Sequence, residues 1–340
     1  MRERITYFDL LRGLAIIGVI AIHSTGIGYQ FKDTSIPFIG TVIWRQLINF
    51  SVPLFLAISG YFLAEKKVET KTDYFSFIKK QIPRVLIPYI LWSILYLGLD
   101  MIRGAEIQSI IIKLFTFQSA GPFYFILLII QYYLLLPIMK SLATSKGLII
   151  SAIISFISCL IIFYFRYYTE FNLPLFVYAG GFPTWIIFFV IGIYLKSHKV
   201  TLKKSTINVF ILFGVILSLA ESYILYAKFQ DIGNSVTAVK ISSFIYSVAI
   251  ILFLFRNFEN NFNQPRILIY IGEISFGIYL SHMFFLKGIN IIISKVFPLL
   301  NSYSTLKQIT LISLTISCCI SFAFLARKLN KKYAIKYLGH

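Results

Sequence analysis

Residues 8–28 read FDLLRGLAIIGVIAIHSTGIG, a hydrophobic run that contains an acid, an arginine and a histidine. About twenty residues are enough for an α-helix to cross a bilayer, and this stretch supplies that length. Arg12 and His23 are eleven residues apart, so they share one helix face, about 16 Å apart along the axis. Because ionisable side chains are costly in lipid, we expect both to face a protein interior or a water-filled cavity.

The composition of the whole chain predicts a membrane protein. Of its 340 residues, 58% are hydrophobic and 13% are charged, whereas soluble domains average about a quarter charged. The mean hydropathy is +0.81. A formal net charge of +19 would suggest nucleic acid for a soluble protein. Here the basic residues separate hydrophobic blocks, so we predict the lipid bilayer, and no nucleic acid, as a partner.

Hydrophobic blocks of bilayer-spanning length predict an all-α polytopic membrane protein. We expect about ten transmembrane helices and no soluble domain, so that residues 1–340 form a single membrane-embedded domain. The predicted spans are 8–28, 45–64, 84–101, 122–139, 147–166, 181–196, 207–226, 240–256, 266–286 and 306–326.

The distribution of basic residues predicts the orientation, because cytoplasmic loops carry an excess of Lys and Arg. With the N-terminus on the cytoplasmic side, that side holds 21 of the 32 basic residues, including Arg2 and Arg4, and the opposite side holds ten. Arg12 lies inside the membrane. We therefore predict that both termini are cytoplasmic, with Arg12 near the cytoplasmic end of the first helix and His23 deeper.

The first helix also carries an acid placed to pair with its arginine. Asp9 lies one turn before Arg12, so the two side chains can interact at i, i+3. A guanidinium offers a fork of donors that suits phosphate, although Arg12 could simply snorkel to the interface. Imidazole titrates near neutrality and suits a general base, although His23 could also be a hydrogen-bonded packing residue.

Polar groups in the next two spans have structural and functional interpretations. In the second span, Pro53 frees backbone groups in mid-helix, and Ser59 with Gly60 allows close helix approach. A basic cluster, KKQIPR at residues 79–84, stands at the predicted start of the third span. Such a cluster is usually a topogenic signal, but it could also receive a polyanionic ligand from the cytoplasm.

Two later spans carry further candidates. Glu221 is an intramembrane carboxylate with no charged neighbour in sequence, which makes it a site candidate with an unknown partner. Tyr279 and His282 are three residues apart and share a helix face. His282 could equally be an interfacial residue. No metal-ligand spacing is visible in the sequence, and we expect no metal.

Four of these stretches together resemble the membrane acyltransferase-3 family. They are residues 7–15 with His23, residues 51–61, residues 84–89 (RVLIPY) and residues 275–282 (SFGIYLSH). The resemblance covers the whole chain. It implies transfer of an acyl group, commonly acetyl from acetyl-CoA, onto a hydroxyl of an extracytoplasmic acceptor. The acceptor would be a cell-surface glycan or a lipid-linked glycan intermediate. The protein would be a multi-pass protein of the plasma membrane of a bacterium.

The resemblance also implies roles for individual residues. His23 would be the catalytic histidine, with Asp9 and Tyr279 as further catalytic candidates. Arg12 would bind the donor. Members often carry a pair of arginines before the third span, where this chain has Arg84 and, in place of the other, Lys80. We assign these to the donor as well, and Glu221, His282 and Ser59 to substrate binding.

Several alternatives remain open at the level of sequence. The transfer could be direct or could pass through a covalent acyl-enzyme. Many relatives carry an additional esterase-like domain that completes the transfer. Since we expect no soluble domain here, this chain would finish the reaction itself or hand the acyl group to another protein. The rival functions are an exporter of a surface polysaccharide or lipid-linked intermediate, and a module that only scaffolds a biosynthetic complex.

Overall fold

A computed structural model of the chain describes residues 5–169, 171, 173–259 and 264–340. All regular structure in these ranges is helical, which confirms the predicted all-α class. Arg2 and Arg4, which contribute to the predicted orientation, lie outside the described residues. In chain order the α-helices are α1 (Thr6–Ser24), α2 (Ile36–Leu47), α3 (Ser51–Leu63), α4 (Lys71–Ile102), α5 (Ile107–Phe115), α6 (Tyr124–Leu134), α7 (Leu136–Ser141), α8 (Ser145–Tyr168), α9 (Leu175–Tyr178), α10 (Phe182–Ser197), α11 (Lys204–Phe229), α12 (Ile232–Ser235), α13 (Ile241–Arg256), α14 (Arg266–Glu273), α15 (Ser275–Val296) and α16 (Ser304–Tyr333).

Within the described ranges, eight helical stretches are long and apolar enough to cross a membrane. Two shorter apolar helices, Gly121–Leu134 and Ile241–Arg256, lie where the fourth and eighth spans were predicted. The chain is thus a polytopic membrane protein, while the count of ten spans and the cytoplasmic termini stay predictions. The eight stretches are Thr6–Gln30, Ile36–Leu63, Lys71–Ile102, Ser145–Tyr168, Leu175–Ser197, Lys204–Phe229, Ser275–Val296 and Ser304–Leu338.

The predicted second and third spans differ from the helices that form. Residues 48–50 interrupt the second span, so Pro53 lies in the first turn of α3 rather than in mid-helix. Its missing N–H therefore falls among groups that have no intrahelical partner anyway. Helix α4 begins at Lys71, well before the predicted 84, because Thr70 caps it by accepting a 3.1 Å hydrogen bond from the Asp73 N–H.

The predicted ninth span, 266–286, is likewise not one continuous helix. Ile274, with φ −99° and ψ 10°, separates α14 from α15. Helix α15 then continues to Val296, past Lys287, where the hydropathy falls. Lysine is a good helix former, so a drop in hydropathy did not mark the end of the helix.

The chain divides into two compact units. The first contains Met1–Phe55 and Val200–Leu325, and the second contains Leu56–Lys199 and Ala326–His340. The single domain over residues 1–340 stays a prediction.

The first unit is organised around α1, which packs along α14 and α15. Phe8, Ile16 and Ile20 of α1 are fully buried, and the ring of Phe8 lies 5.4 Å from that of Phe255. Helices α11 and α13 form its second closely packed pair. The unit therefore surrounds the first helix with protein over most of its length, as the sequence predicts for a helix that carries ionisable groups.

The second unit is built on close contacts of α10 with α3 and α8. A Cβ added at Gly60 would lie 2.2 Å from the Phe189 carbonyl oxygen, and one at Gly192 would lie 2.0 Å from that of Ala57. The two backbones therefore meet with only hydrogen atoms between them, which confirms the close approach predicted at Gly60. The rings of Tyr132 and Phe189 stack at 4.2 Å.

Candidate functional site

Helix α1 carries Asp9, Arg12 and His23 on one uninterrupted segment, Thr6–Ser24. The continuity of the helix preserves the eleven-residue spacing between Arg12 and His23, so the shared face predicted from sequence is present. The helix ends where Ser24 and Thr25 donate hydrogen bonds to the carbonyls of Ala21 and Ile22, at 2.8 and 2.7 Å. Hydroxyls that bond back to the preceding turn are typical of such positions.

The predicted pair between Asp9 and Arg12 forms, with 2.9 Å between the Asp9 carboxylate and the Arg12 guanidinium. Asp9 is 2% exposed, whereas the Arg12 side chain is 31% exposed. A buried carboxylate is stable only when it is paired or hydrogen-bonded. Arg12 therefore neutralises Asp9 with one part of its guanidinium and presents another part to the surface of the unit.

His23 lies against a second histidine that comes from α15. The ring centroids of His23 and His282 are 5.5 Å apart, and the rings are tilted by 43°. The ring of Tyr279 follows at 6.1 Å from His282. The structure therefore brings together three of the residues that the sequence singled out, His23, Tyr279 and His282. Their contact depends on the packing of α15 against α1, which no sequence spacing reveals.

The two histidines differ in their surroundings. His282 is fully buried, and its Nδ1 lies 2.7 Å from the Tyr279 carbonyl oxygen and 3.2 Å from that of Ile278. Since both neighbours are acceptors, Nδ1 carries the proton and Nε2 holds the lone pair. Nε2 is buried and has no hydrogen-bond partner among the described residues. His23 is only half-buried, so part of the residue stays exposed.

Two cations lie within electrostatic range of His23, namely Arg45 on α2 and Lys287 on α15. Arg45 also donates a hydrogen bond to the Asn49 side-chain oxygen. Both belong to the ten basic residues that are predicted to lie on the side opposite the cytoplasm. Their position beside His23 gives this part of the first unit a positive potential, which a residue-by-residue inspection of the sequence could not detect.

Glu221 has partners that the sequence could not name. Its carboxylate accepts hydrogen bonds from the backbone N–H of Ser242, at 3.1 Å, and from the Ser242 hydroxyl. Ser242 lies in the first turn of α13, where a negative charge is favourable. The charge of Lys240 is also close by. These contacts account for a carboxylate at this depth, and its role in substrate binding stays a prediction.

Lys240 is itself 4% exposed. Its ammonium donates to the carbonyl oxygens of Ser218 and Ser235, at 2.9 and 3.3 Å, and to the Ser222 hydroxyl. These acceptors come from α11 and from the segment before α13. A buried ammonium with three acceptors joins the segments that supply them. Lys240 therefore stabilises the packing of α11 against the segment before α13.

We expect Lys240→Met to lower the unfolding temperature of the protein in detergent. The substitution removes the ammonium from the buried Ser235 carbonyl and from the Ser222 hydroxyl, at about 1–3 kcal/mol for a group left unsatisfied. Lys295→Met is the matched control, because Lys295 is exposed on α15. Equal unfolding temperatures for the two variants would show that Lys240 does not stabilise the unit.

The remaining candidates lie in the second unit. Ser59 is half-buried on α3, and Lys80 and Arg84 are exposed on α4. The two basic residues are four apart within a continuous helix, so they share one face. The basic cluster therefore lies within the helix α4, and its position at the start of the third membrane span stays a prediction.

The other two histidines are in the second unit. His198 is exposed and stacks on Tyr194 at 4.0 Å. Burial and the charge of Arg327 lower the pKa of His340 to about 4, so its ring is neutral near pH 7. Among the described residues, no group of three or more His, Cys, Asp or Glu side chains could hold a metal ion.

A family model and one relative indicate the same family. The sequence model of the acyltransferase domain named Acyl_transf_3 matches residues 5–328. YfiQ of Bacillus subtilis (strain 168), provisionally named a membrane-bound acyltransferase, is 22% identical over 299 residues, which cover 82% of this chain and 80% of YfiQ. An amino-acid racemase of Enterococcus faecalis is 28% identical over 127 residues, 36% of this chain and 17% of the racemase. No solved structure matches significantly.

Proposed function

The chain belongs to the acyltransferase-3 family, and we propose that it transfers an acyl group, in the simplest case acetyl, from acyl-CoA to a hydroxyl. The donor would bind from the cytoplasm. The acceptor would be an extracytoplasmic surface glycan or a lipid-linked glycan in the plasma membrane of a bacterium. The family supports the acyl transfer, and the donor, the acceptor and the residue roles are our proposals.

One observation carries the proposal, namely the half-buried His23 in ring contact with the fully buried His282. A general base needs a ring nitrogen that a reactant can reach and an environment that fixes the ring. We assign the first to His23, which is half-buried, and the second to its contact with His282. Its position on the same helix face as Arg12 would place the base and a phosphate-binding cation on one rigid element.

In the proposed reaction, His23 takes the proton of the acceptor hydroxyl while the hydroxyl oxygen attacks the thioester carbonyl carbon. The carbon–sulfur bond then breaks, the CoA sulfur leaves with the electron pair, and the imidazolium returns the proton to it. The products are an ester and free CoA. The developing oxyanion needs a donor, for which Tyr279 is our candidate, since its ring lies beside His282.

For the donor we assign the phosphates of CoA to basic residues. Arg12 presents part of its guanidinium at the surface of the first unit. Lys80 and Arg84 present two charges from one face of α4 in the second unit. CoA is polyanionic, and guanidinium groups bind phosphate with paired hydrogen bonds. We propose that Ser59, in the second unit, contributes to binding of the acceptor.

The test of the donor site uses purified protein in nanodiscs with acetyl-CoA, following release of free CoA. Arg12→Ala alone would leave Asp9 buried without its cation, so we choose the double variant Asp9→Asn/Arg12→Gln, which retains a neutral hydrogen-bonded pair. We expect its KM for acetyl-CoA to rise about tenfold to a hundredfold, because a charge-assisted hydrogen bond contributes about 1.5–3 kcal/mol.

An unchanged KM in this double variant would show that Arg12 only neutralises Asp9. If the wild-type protein neither binds nor turns over acetyl-CoA, even with a crude surface-glycan acceptor, the acyl-CoA proposal fails. An exporter of a surface polysaccharide or lipid-linked intermediate would then be the leading account.

A further inference from the structure

His282 has one nitrogen fixed and the other unpaired. Its Nδ1 is held by the backbone carbonyls of Tyr279 and Ile278, on its own helix. Its Nε2 is buried with no hydrogen-bond partner among the described residues. A buried acceptor without a donor is unfavourable, and burying an apolar ring at this position would avoid that cost. Packing alone therefore does not explain why the residue is histidine.

The lone pair of Nε2 has a polar ring beside it. The His23 ring lies 5.5 Å away between centroids, a separation at which a turn of the His23 ring can bring one of its nitrogens within hydrogen-bond distance of Nε2. His23 is the more exposed of the two, so its ring is the one with room to move. A neutral imidazole has one N–H and one nitrogen with a lone pair. The acceptor that binds the N–H therefore determines the direction of the lone pair.

We infer that His282 is a positioning residue for His23: its Nε2 accepts the N–H of His23 and so directs the other His23 nitrogen, with its lone pair, toward the acceptor hydroxyl. This inference rests on the proposed function, in which His23 is the base. The Nδ1 of His282 keeps its own proton, which it donates to the two carbonyl oxygens, so Nε2 is the acceptor that it offers to His23. It assists by fixing a tautomer and a ring orientation, and this positioning role replaces the substrate-binding role that we expected for His282 from the sequence.

Two amide substitutions separate this role from a merely structural one. In His282→Gln the side-chain oxygen reaches the place of Nε2, so an acceptor for His23 remains. In His282→Asn the shorter side chain places its NH₂ where Nδ1 was, so the bond to the Tyr279 carbonyl remains and the acceptor for His23 is lost. His282→Gln therefore keeps the acceptor for His23 and loses the bond to the backbone, whereas His282→Asn does the reverse.

In the CoA-release assay, we expect His282→Asn to lower kcat about tenfold to a hundredfold with little change in KM for acetyl-CoA, because an unoriented base loses part of the general-base contribution of about 10² to 10⁴. His282→Gln should retain most of the wild-type kcat. The opposite order, with Asn active and Gln inactive, would show that the backbone bond is what matters and would overturn the inference.

A second readout does not depend on acyl transfer. With four histidines in the chain, ¹⁵N labelling of histidine lets the tautomer of His23 be measured at about pH 8, where imidazoles are ordinarily neutral. We expect one tautomer in the wild type and in His282→Gln, and a mixture in His282→Asn. If acetyl-CoA is never turned over but this pattern appears, the proposed function fails and the pairing stands. A mixture in the wild type would overturn the pairing itself.

Discussion

Replacing His23 with alanine is expected to lower the rate of CoA release about 10² to 10⁴-fold, the usual contribution of a general base. The loss should appear in kcat, because Arg12, which we assign to the donor, is untouched. His282 cannot take over the task. It is fully buried, and its Nδ1 proton is engaged by two backbone carbonyls. His23→Gln, which retains polarity and volume but cannot accept a proton at neutral pH, should be equally inactive.

The control for this experiment is His198→Ala. His198 is exposed in the second unit, where it stacks on Tyr194, and we give it no role in the reaction. Wild-type turnover is therefore expected for His198→Ala. Turnover of His23→Ala within a factor of about two of the wild type, with normal folding in detergent, would remove His23 from the chemistry and leave it as a packing residue.

The local part of this site could be predicted from the sequence. The pairing of Asp9 with Arg12 depends only on the geometry of one helix turn, and it is present at 2.9 Å. The shared face of Arg12 and His23 likewise depends only on the continuity of α1. Such relations follow from the helix repeat, so they need no knowledge of how the helices pack.

Contacts between distant segments could not be predicted in the same way. Nothing in the sequence indicates that His282 lies beside His23, or that Glu221 accepts hydrogen bonds from the start of α13. A helix face is known from its periodicity, but its partner is decided by the packing of every other helix. The sequence therefore indicates candidate residues for the site and leaves open which of them meet.

The helix ends show a different limit. Hydropathy locates the apolar blocks well, because the cost of a polar group in lipid depends on composition. It does not locate the ends of helices, which depend on capping and on backbone propensity. For that reason α4 begins at Lys71 and α15 continues to Val296, beyond the spans expected from hydropathy.

The second large effect is expected from Gly272→Ala, which should lower the unfolding temperature and reduce the yield of folded protein. A Cβ at Gly272 would lie 1.7 Å from the Asp9 carbonyl oxygen and 2.5 Å from its carbonyl carbon. Both atoms are backbone, so no change of rotamer can relieve the clash, and α14 must move away from α1. Overpacking of this kind costs about 1–3 kcal/mol and sometimes more, which exceeds the helix propensity of about 1 kcal/mol that alanine gains over glycine.

Gly288→Ala is the matched control, because a Cβ at Gly288 on α15 would meet no atom within 4 Å. That variant gains helix propensity without a clash and should be as stable as the wild type or slightly more stable. Gly13→Ala should resemble Gly272→Ala, since its Cβ would lie 2.3 Å from the Leu268 carbonyl oxygen. If Gly272→Ala unfolds at the same temperature as Gly288→Ala, close packing of α1 and α14 is not what holds this pair together.

The same contact connects stability with the chemistry. Helix α14 leads directly into α15, with only Ile274 between them, and α15 carries His282. An α14 displaced from Asp9 should therefore shift His282 relative to His23. We expect the folded fraction of Gly272→Ala to release CoA more slowly than an equal amount of Gly288→Ala, with the difference in kcat. A folded fraction with wild-type kcat would mean that the position of His282 is set by α15 and α1 alone.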